Sequence, residues 1–350
     1  VYSKGGGTGA YSTGLQVIPE KRLVVAASVS GKLNGETVTR AMLDALMKDK
    51  GLPAPSAKKT EKPVDAEIIP AELSAFEGLY ANGGSFVRII IDKERKKLDI
   101  IQLLPEGDEA PAGESGPVLL SFVYNGGSFF SFEKDLGGYF IRNGDTSYFI
   151  AEKIPFYDVD DLIFQSVPQQ QAPKKLFADI KNKVWLMRNL TPSIQLYRET
   201  PMISSDTYKE LPGYLTFMDP LRVEDDHTAT YAAPMFRDQS ELEIYESDGA
   251  LWIRSGIFLF SEAEKTKILK NGQNTLMIGE KGYNEWQRTG AGSIISFERP
   301  EKGRIMVLAE KAEGLPLFDS ITDEGEVYVP EGSYVVCIGR PGDMFTVNVK

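Results

Sequence analysis

The sequence predicts a mainly β protein in which a short β-β-α segment is followed by two antiparallel β-barrels. Three observations support this fold class. Aromatic residues make up 10% of the chain, glycine and proline occupy 33 and 20 positions, and many short alternating runs lie between these turn formers. Short strands joined by regular turns favour antiparallel meanders, which close most easily into barrels or sandwiches. With 350 residues, 42% of them hydrophobic, the chain has room for two or three packed cores.

The first predicted element is a glycine-rich β-hairpin. Glycines crowd the stretch from Lys4 to Gly9, and a backbone without side chains can lie flat against a ligand or another strand. Residues 11–17 then alternate with the period of a strand, Pro19-Glu20-Lys21 forms a turn, and residues 23–27 are an apolar run. The sequence therefore predicts a hairpin with a glycine-lined leading edge.

These glycines have a superficial similarity to two phosphate-binding motifs. Gly5-x-Gly7-x-x-Ala10 matches the spacing of the dinucleotide fingerprint, and Lys4 stands beside glycines as a P-loop lysine does. The fingerprint needs a strand before it and a helix after it, whereas strand alternation follows here. The P-loop lysine follows its glycines rather than preceding them. Neither motif fits its context, so no nucleotide or other cofactor is expected.

A helix is predicted over residues 34–47. Asn34 can cap its start, and Gly51 with Pro53 ends it. We expect its buried stripe to consist of Val38, Met42, Ala45 and Leu46. The composition then turns to Pro, Ala, Lys and Glu, which indicates a linker over residues 52–71.

Residues 72–168 are predicted to form the first barrel. Strand-like runs flank a charged turn at residues 92–97, the turn Asn125-Gly126-Gly127-Ser128 and the strong hairpin signal Asn143-Gly144-Asp145. After the polar break at residues 169–173, a second series of short strands begins.

Residues 174–350 are predicted to form a second, larger barrel. A hairpin is expected at Ser247-Asp248-Gly249, and the last strand pair at residues 333–338 and 344–349. Glu210-Leu211-Pro212-Gly213-Tyr214-Leu215 loosely repeats Ala75-Phe76-Glu77-Gly78-Leu79-Tyr80, which indicates that the two β modules are related.

The opening segment resembles a known family. Lys4-Gly5-Gly6-Gly7-Thr8-Gly9-Ala10-Tyr11-Ser12, the turn at Pro19, a second strand and a terminal helix are similar to the last β-β-α segment of the serine β-lactamase and penicillin-binding-protein family, especially its class C and D-aminopeptidase members. The resemblance covers residues 1–51 and implies a C-terminal piece of a β-lactamase-like α/β domain. Two barrels with a lipocalin-like shape follow the catalytic domain in the D-aminopeptidase branch.

The resemblance assigns roles to three residues. The family's third active-site motif is Lys or His, any residue, and Gly, on the strand that edges the catalytic cleft. Lys4 would be the cation that holds a substrate carboxylate and supports proton transfer, and Gly6 would keep the strand flush with the substrate. The backbone N–H of Gly7 would be one of two oxyanion-hole donors, a role that can stabilise acyl transfer by several kcal/mol. An ordinary glycine-rich hairpin is the alternative.

The family's other two motifs have no convincing copies. Its nucleophile comes from Ser-x-x-Lys near the start of the domain, followed by Tyr-x-Asn or Ser-x-Asn. Ser56-Ala57-Lys58-Lys59 is surrounded by prolines in the linker, and Tyr80-Ala81-Asn82 ends a predicted strand. Their order is also wrong, so we expect the nucleophile to lie outside this sequence and this chain alone to be inactive.

Composition excludes several other functions. The net charge of −11 argues against nucleic acid and anionic membrane surfaces as partners, and no apolar run is long enough to span a membrane. Cys337 is the single cysteine and His227 the single histidine, which excludes disulfides within the chain and multi-histidine or thiolate metal sites. Cys337 lies in an apolar run and is expected to be a buried hydrophobic residue.

Two further groups of residues have the composition of a ligand site. Asp158-Val159-Asp160-Asp161 contains three acidic residues, but it lacks the spacing of a calcium loop, so a solvated loop is expected. Three tryptophans could line a barrel cavity for an apolar ligand, namely Trp185, Trp252 and Trp286. Side chains usually fill the interior of small barrels, however.

Together these observations predict the C-terminal portion of a serine acyl hydrolase that acts on amide, β-lactam or ester substrates. Its expected partners are a small-molecule or peptide substrate and the remainder of the catalytic domain. The family implies a location outside the cytoplasm. The alternative is a non-enzymatic β-barrel protein that binds a ligand or a partner.

Overall fold

The architecture is mainly β, as predicted, and includes two closed or nearly closed antiparallel barrels. Residue contacts divide the chain into two compact units, Val1–Pro168 with Ala232–Phe236 and Gln169–Tyr231 with Arg237–Lys350. The structure is a computed structural model that describes residues 1–7, 11–30, 33–53, 66–108, 116–131, 133, 136–152, 159–171, 174–193, 201–233, 241–310 and 316–350.

The first unit begins with a three-stranded antiparallel sheet and one helix. The sheet has the order β1 (Tyr2–Gly7), β2 (Tyr11–Ile18), β3 (Leu23–Ser30), and α1 (Gly35–Asp49) follows it. A single 3-10 turn at Pro19–Lys21 joins β2 to β3. The Asn34 side chain accepts hydrogen bonds from the N–H groups of Glu36 and Thr37, at 2.9 and 3.1 Å. The predicted hairpin and helix, including its cap, are therefore confirmed.

The buried face of α1 differs from the predicted stripe. Met42 is 44% exposed and Ala45 is exposed, whereas Val38 and Leu46 are only half-buried. The residues that α1 buries are spaced by four: Gly35, Thr39, Leu43 and Met47. The expected stripe was wrong because glycine and threonine do not register as core residues in a hydrophobic pattern. Their small size is what lets the helix pack closely.

A closed barrel of eight strands follows in the same unit. Its strands are β4 (Gly78–Ala81), β5 (Phe86–Asp92), β6 (Lys97–Gln102), β7 (Val118–Asn125), β8 (Ser128–Ser131), β9 (Leu136–Asn143), β10 (Thr146–Glu152) and β11 (Asp161–Ser166). Neighbouring strands pair in the order β10-β11-β4-β5-β6-β7-β8-β9, which closes on itself. The predicted hairpins at Asn125–Ser128 and Asn143–Thr146 are both present, with Gly126 and Gly144 at positive φ.

Aromatic rings fill the interior of this barrel. The Phe140 ring lies 5.0 Å from that of Phe149 and 5.7 Å from that of Phe129, and the Phe149 ring is 5.3 Å from Phe122. A side chain at Gly138 would collide with the Phe149 ring. The described interior is thus occupied by side chains, as is usual for eight-stranded barrels of this size.

The second unit begins with α2 (Lys174–Ile180) and a nine-stranded antiparallel sheet. Its strands are β12 (Val184–Met187), β13 (Met202–Ser204), β14 (Asp206–Thr207), β15 (Tyr214–Phe217), β16 (Asp219–Val223), β17 (Thr228–Tyr231), β18 (Leu242–Ser247), β19 (Ala250–Ser255) and β20 (Phe258–Glu262). The order is β13-β12-β20-β19-β18-β17-β16-β15-β14. The predicted hairpin at Ser247–Ala250 is present, with Asp248 and Gly249 at positive φ.

Residues after this sheet form two further sheets rather than more strands of the same one. A five-stranded sheet has the order β21 (Lys267–Ile268), β23 (Glu285–Arg288), β28 (Tyr334–Ile338), β25 (Arg304–Leu308), β26 (Phe318–Asp319). A four-stranded sheet has the order β22 (Gly272–Met277), β29 (Met344–Val349), β24 (Ser293–Glu298), β27 (Val327–Val329). The predicted larger barrel over 174–350 thus comprises three sheets.

The five-stranded sheet is apolar on both faces. Met306 and Val336 belong to a core that they share with residues of the nine-stranded sheet. Val307 and Cys337 belong to a second core, which they share with residues of the four-stranded sheet. Every residue of β25 and β28 is buried, which explains the continuous apolar runs at residues 305–308 and 334–338. Cys337 is fully buried, as predicted, and burial raises the pKa of its thiol far above the ordinary range.

Candidate functional site

The candidate site lies along the edge strand β1, which carries Lys4, Gly6 and Gly7. Lys4 is opposite Leu15 in the β1–β2 ladder, and Gly6 is opposite Thr13. Lys4, Gly6 and Gly7 are all exposed. Because β1 is the outer strand of the three-stranded sheet, one side of its backbone is not paired with another described strand.

The side chain of Lys4 lies on the face of the sheet that is turned away from α1. A Cβ atom at Gly5 would collide with the carboxyl group of Glu36, which follows the N-cap of α1. Gly5 therefore faces the helix. Successive residues of a strand point to opposite faces, so Lys4 and Gly6 face the other way.

The peptide groups of β1 alternate in direction along its edge. The carbonyl oxygen of Gly6 accepts a hydrogen bond of 3.2 Å from the Thr13 hydroxyl group, so it points toward β2. The N–H and C=O groups of a strand residue point to the same side, and those of the next residue to the opposite side. The N–H of Gly7 consequently points toward the open edge, where a ligand can reach it.

The strand behind this edge is fixed by close contact with α1. The Ser12 hydroxyl group accepts a hydrogen bond of 2.9 Å from the N–H of Gly35. A Cβ atom at Gly14 would lie 2.5 Å from both the carbonyl oxygen of Gly35 and the hydroxyl oxygen of Thr39. Two glycines thus allow the helix and β2 to approach at backbone distance, and this contact holds β1 and β2 in place.

The sheet face that carries Lys4 is largely apolar and exposed. Tyr2 is 69% exposed, Val24 59%, Tyr11 51% and Leu15 38%. Large apolar side chains grouped on one face usually indicate a surface that contacts another molecule or segment. Lys4 lies within this apolar group and makes no ion pair among the described residues.

The two downstream copies of family motifs have different outcomes. Ser56 and Lys59 lie outside the described residues. Tyr80 is buried in the closed barrel, donates a hydrogen bond of 2.7 Å to the carbonyl oxygen of Phe76, and burial raises its pKa to about 12. The Asn82 side chain accepts from the N–H groups of Gly84 and Ser85. Tyr80 and Asn82 therefore have structural roles in a barrel strand and its turn.

The remaining sequence candidates are also structural. His227 lies in an exposed turn, where its backbone N–H donates to the carboxylate of Asp225 at 2.7 Å. Of the acidic stretch 158–161, residue 158 is outside the described residues, and Asp160 accepts a hydrogen bond from the Tyr139 hydroxyl group. The buried tryptophans Trp185 and Trp286 donate to the Ser205 hydroxyl group and the Met187 carbonyl group.

Sequence reasoning missed two features. The side-chain oxygen of Gln16 is buried under α1 without a hydrogen-bond partner, and Arg188 is a half-buried cation with a buried Nε atom that also lacks a partner. No sequence signal identifies either one, because glutamine and arginine ordinarily occupy exposed positions.

Comparisons with known protein families, with curated protein sequences and with solved structures find no match to this chain. In the part of the chain that the structure describes, no helix has the length and apolar character needed to cross a membrane. Among the same residues, no group of three or more His, Cys, Asp or Glu side chains is arranged to hold a metal ion.

Proposed function

We propose that this chain is the C-terminal portion of a serine acyl hydrolase of the β-lactamase and penicillin-binding-protein type. The observation that carries the proposal is the geometry of β1. The N–H of Gly7 points to the open edge of the sheet, and the Lys4 side chain is on the face away from α1. A donor and a cation on one strand edge are what the family's third motif requires.

The proposed chemistry is attack by a serine on an amide, β-lactam or ester carbonyl to give an acyl-enzyme. The N–H of Gly7 would donate to the developing oxyanion. The ammonium group of Lys4 would bind a substrate carboxylate. Gly6 faces the same side as Lys4, and the absence of a side chain there leaves space for the substrate next to the strand.

The nucleophile in this proposal belongs to the remainder of the catalytic domain. The apolar face formed by Tyr2, Tyr11, Leu15 and Val24 is the surface on which that remainder would pack. It would bring the serine to the same face as Lys4. The expected substrate is a small molecule or peptide, and the expected location is outside the cytoplasm.

The first experiment measures turnover of a chromogenic β-lactam and a p-nitrophenyl ester by this chain alone. We expect none, because the Ser-x-x-Lys nucleophile of the family would belong to the remainder of the catalytic domain. Turnover that disappears in the Ser56→Ala variant would contradict the proposal, since it would place the nucleophile within residues 1–350.

The second experiment uses the longest natural polypeptide that contains this sequence and follows acylation by a fluorescent penicillin or fluorophosphonate. Gly7→Pro removes the outward N–H but not a ladder hydrogen bond, so acylation should fall about 10²- to 10³-fold. Gly7→Ala is the matched control. It keeps the N–H, and its Cβ would be 3.5 Å from the nearest atom, the carbonyl oxygen of Tyr11.

Lys4→Ala tests the cation in the same assay. Acylation by carboxylate-bearing substrates should fall sharply, whereas Lys21→Ala, an exposed lysine in the turn after β2, should leave it unchanged. Equal activity of Gly7→Pro and Gly7→Ala, together with full activity of Lys4→Ala, would refute the proposed role of β1.

The alternative of a barrel that binds a ligand in its interior gains no support from the fold. The described interior of the closed barrel is packed with aromatic rings at centroid distances of 5.0 to 5.7 Å. Saturable binding of a lipophilic fluorophore by the chain would favour this alternative.

A further inference from the structure

Arg188 follows β12 and is a half-buried cation without an acidic partner. Its Nη1 atom donates a hydrogen bond of 3.2 Å to the hydroxyl group of Ser261. Its Nε atom is buried and has no acceptor. Among the described residues, no carboxylate lies within ion-pair distance of this guanidinium group. A buried charge without a compensating partner is costly, so its retention calls for an explanation.

Other poorly exposed cations of the same unit have carboxylate partners. Arg304, whose side chain is 11% exposed, donates from Nε and Nη2 to the two carboxylate oxygens of Asp319, at 2.9 and 2.5 Å. Lys183, at 17%, pairs with Glu262 at 2.7 Å. Arg188 departs from this pattern, because a neutral hydroxyl group takes the place that a carboxylate has beside Arg304 and Lys183.

Glu285 on β23 is a carboxylate whose charge acts on Arg188, but it makes no ion pair with the guanidinium group. One of its oxygens accepts a hydrogen bond of 2.8 Å from the Gln287 side chain. Burial lowers the pKa of Arg188, and the attraction of the Glu285 carboxylate does not outweigh that effect. The positive charge at this position therefore remains undercompensated.

The guanidinium group is held in one orientation. Its carbon lies 5.4 Å from the centroid of the Trp252 ring. That ring is fixed by a hydrogen bond of 3.0 Å from its N–H to the carbonyl oxygen of Ser247 and by the Tyr283 ring at 5.1 Å. An arginine stacked in this way loses little further entropy when an anion binds its planar edge.

We propose that Arg188 and Ser261 form a binding site for an oxyanion, either a carboxylate or a phosphate group. Arg188 as a residue is only half-buried, and the anion would bind from the side of this residue that remains in contact with solvent. The Ser261 hydroxyl group accepts from Nη1, which leaves its own proton to donate to the same anion. This site is independent of Lys4 and Gly7, and it does not rest on the proposed acyl hydrolase function.

The direct test observes arginine Nε–H signals by NMR in the ¹⁵N-labelled full chain during titration with acetate or phosphate at constant ionic strength. The Arg188 signal, identified by its loss in Arg188→Met, should shift saturably. Arg254 is exposed and already paired with Glu243, so its signal should not saturate. The anion that binds with the lower dissociation constant shows whether the site prefers a carboxylate or a phosphate group. Shifts that are absent, or linear and shared by Arg254, would overturn the proposal.

Stability measurements separate this site from a purely structural role. In chloride buffer without added oxyanion, Arg188→Met should be at least as stable as the parent chain, because the substitution removes an uncompensated charge and keeps an apolar stem. The bound oxyanion should raise the midpoint temperature of the tryptophan-fluorescence transition in the parent but not in Arg188→Met. This transition reports on the second unit, which contains all three tryptophans. Arg188→Lys should bind about tenfold more weakly, since it loses the planar fork. A destabilised Arg188→Met chain with no anion effect in the parent would show that Arg188 only stabilises the Trp252 contact.

Discussion

Replacing Gly14 with alanine should loosen α1 from the sheet that carries Lys4. The new Cβ would lie 2.5 Å from the carbonyl oxygen of Gly35 and from the hydroxyl oxygen of Thr39, well inside ordinary contact distance. One of these atoms is backbone, so the clash is relieved only by moving the helix. Overpacking of this kind costs about 1–3 kcal/mol. The lower chain entropy of alanine offsets up to about 1 kcal/mol of that cost.

The net expectation is a local destabilisation of about 1–2 kcal/mol, which corresponds to amide exchange that is about 5- to 30-fold faster in β2 and α1. Hydrogen exchange is the appropriate assay because the chain has two compact units, and a single melting temperature would mix their transitions. Gly7→Ala is the control in the same sheet, since its Cβ meets only an ordinary contact at 3.5 Å. Exchange in Gly14→Ala that is no faster than in this control would refute the backbone-distance contact between β2 and α1.

Three further predictions concern the first unit. Asn34→Ala removes the cap of α1 and should cost about 1 kcal/mol, seen as faster exchange at the amides of Glu36 and Thr37; unchanged exchange there would exclude the cap. Phe149→Ala should destabilise the closed barrel by about 3–5 kcal/mol. All 3 tryptophans lie outside residues 78–166. In Phe149→Ala the midpoint of the tryptophan-fluorescence transition should therefore be unchanged, whereas the amides of the closed barrel should exchange faster. Tyr80 has its pKa raised from 10.0 to about 12 in the folded state, so its stabilising contribution is complete below pH 10 and declines as the pH rises toward 12. Tyr80→Phe should lose that part of the alkaline decline, and an identical pH profile would contradict the assignment.

Much of the local structure could be predicted from the sequence. Asn125-Gly126-Gly127-Ser128, Asn143-Gly144-Asp145 and Ser247-Asp248-Gly249 each gave a hairpin at the predicted position. These turns need residues that tolerate positive φ, and Gly and Asp in such positions are a local signal. The burial of Cys337 was predictable for a similar reason, because a continuous apolar run predicts a strand covered on both faces.

The candidate site was predictable only in part. The sequence pointed to Lys4, Gly6 and Gly7 through the resemblance of residues 4–12 to the third motif of the family. Whether the N–H of Gly7 points to the open edge could not be predicted, because that depends on the pairing register of β1 with β2. The contact of Gly5 with Glu36 also required the position of α1.

By itself, the sequence determined the elements of this protein: its turns, most of its strands, the capped helix and the buried cysteine. These follow from backbone preferences and hydrophobic period, which act over a few residues. The tertiary structure alone decided which face of α1 is buried, how residues 174–350 divide into three sheets, and that Arg188 lacks an acidic partner. Each of these depends on which distant segments pack together, and that choice is set by close contacts between residues far apart in the chain, not by any local pattern.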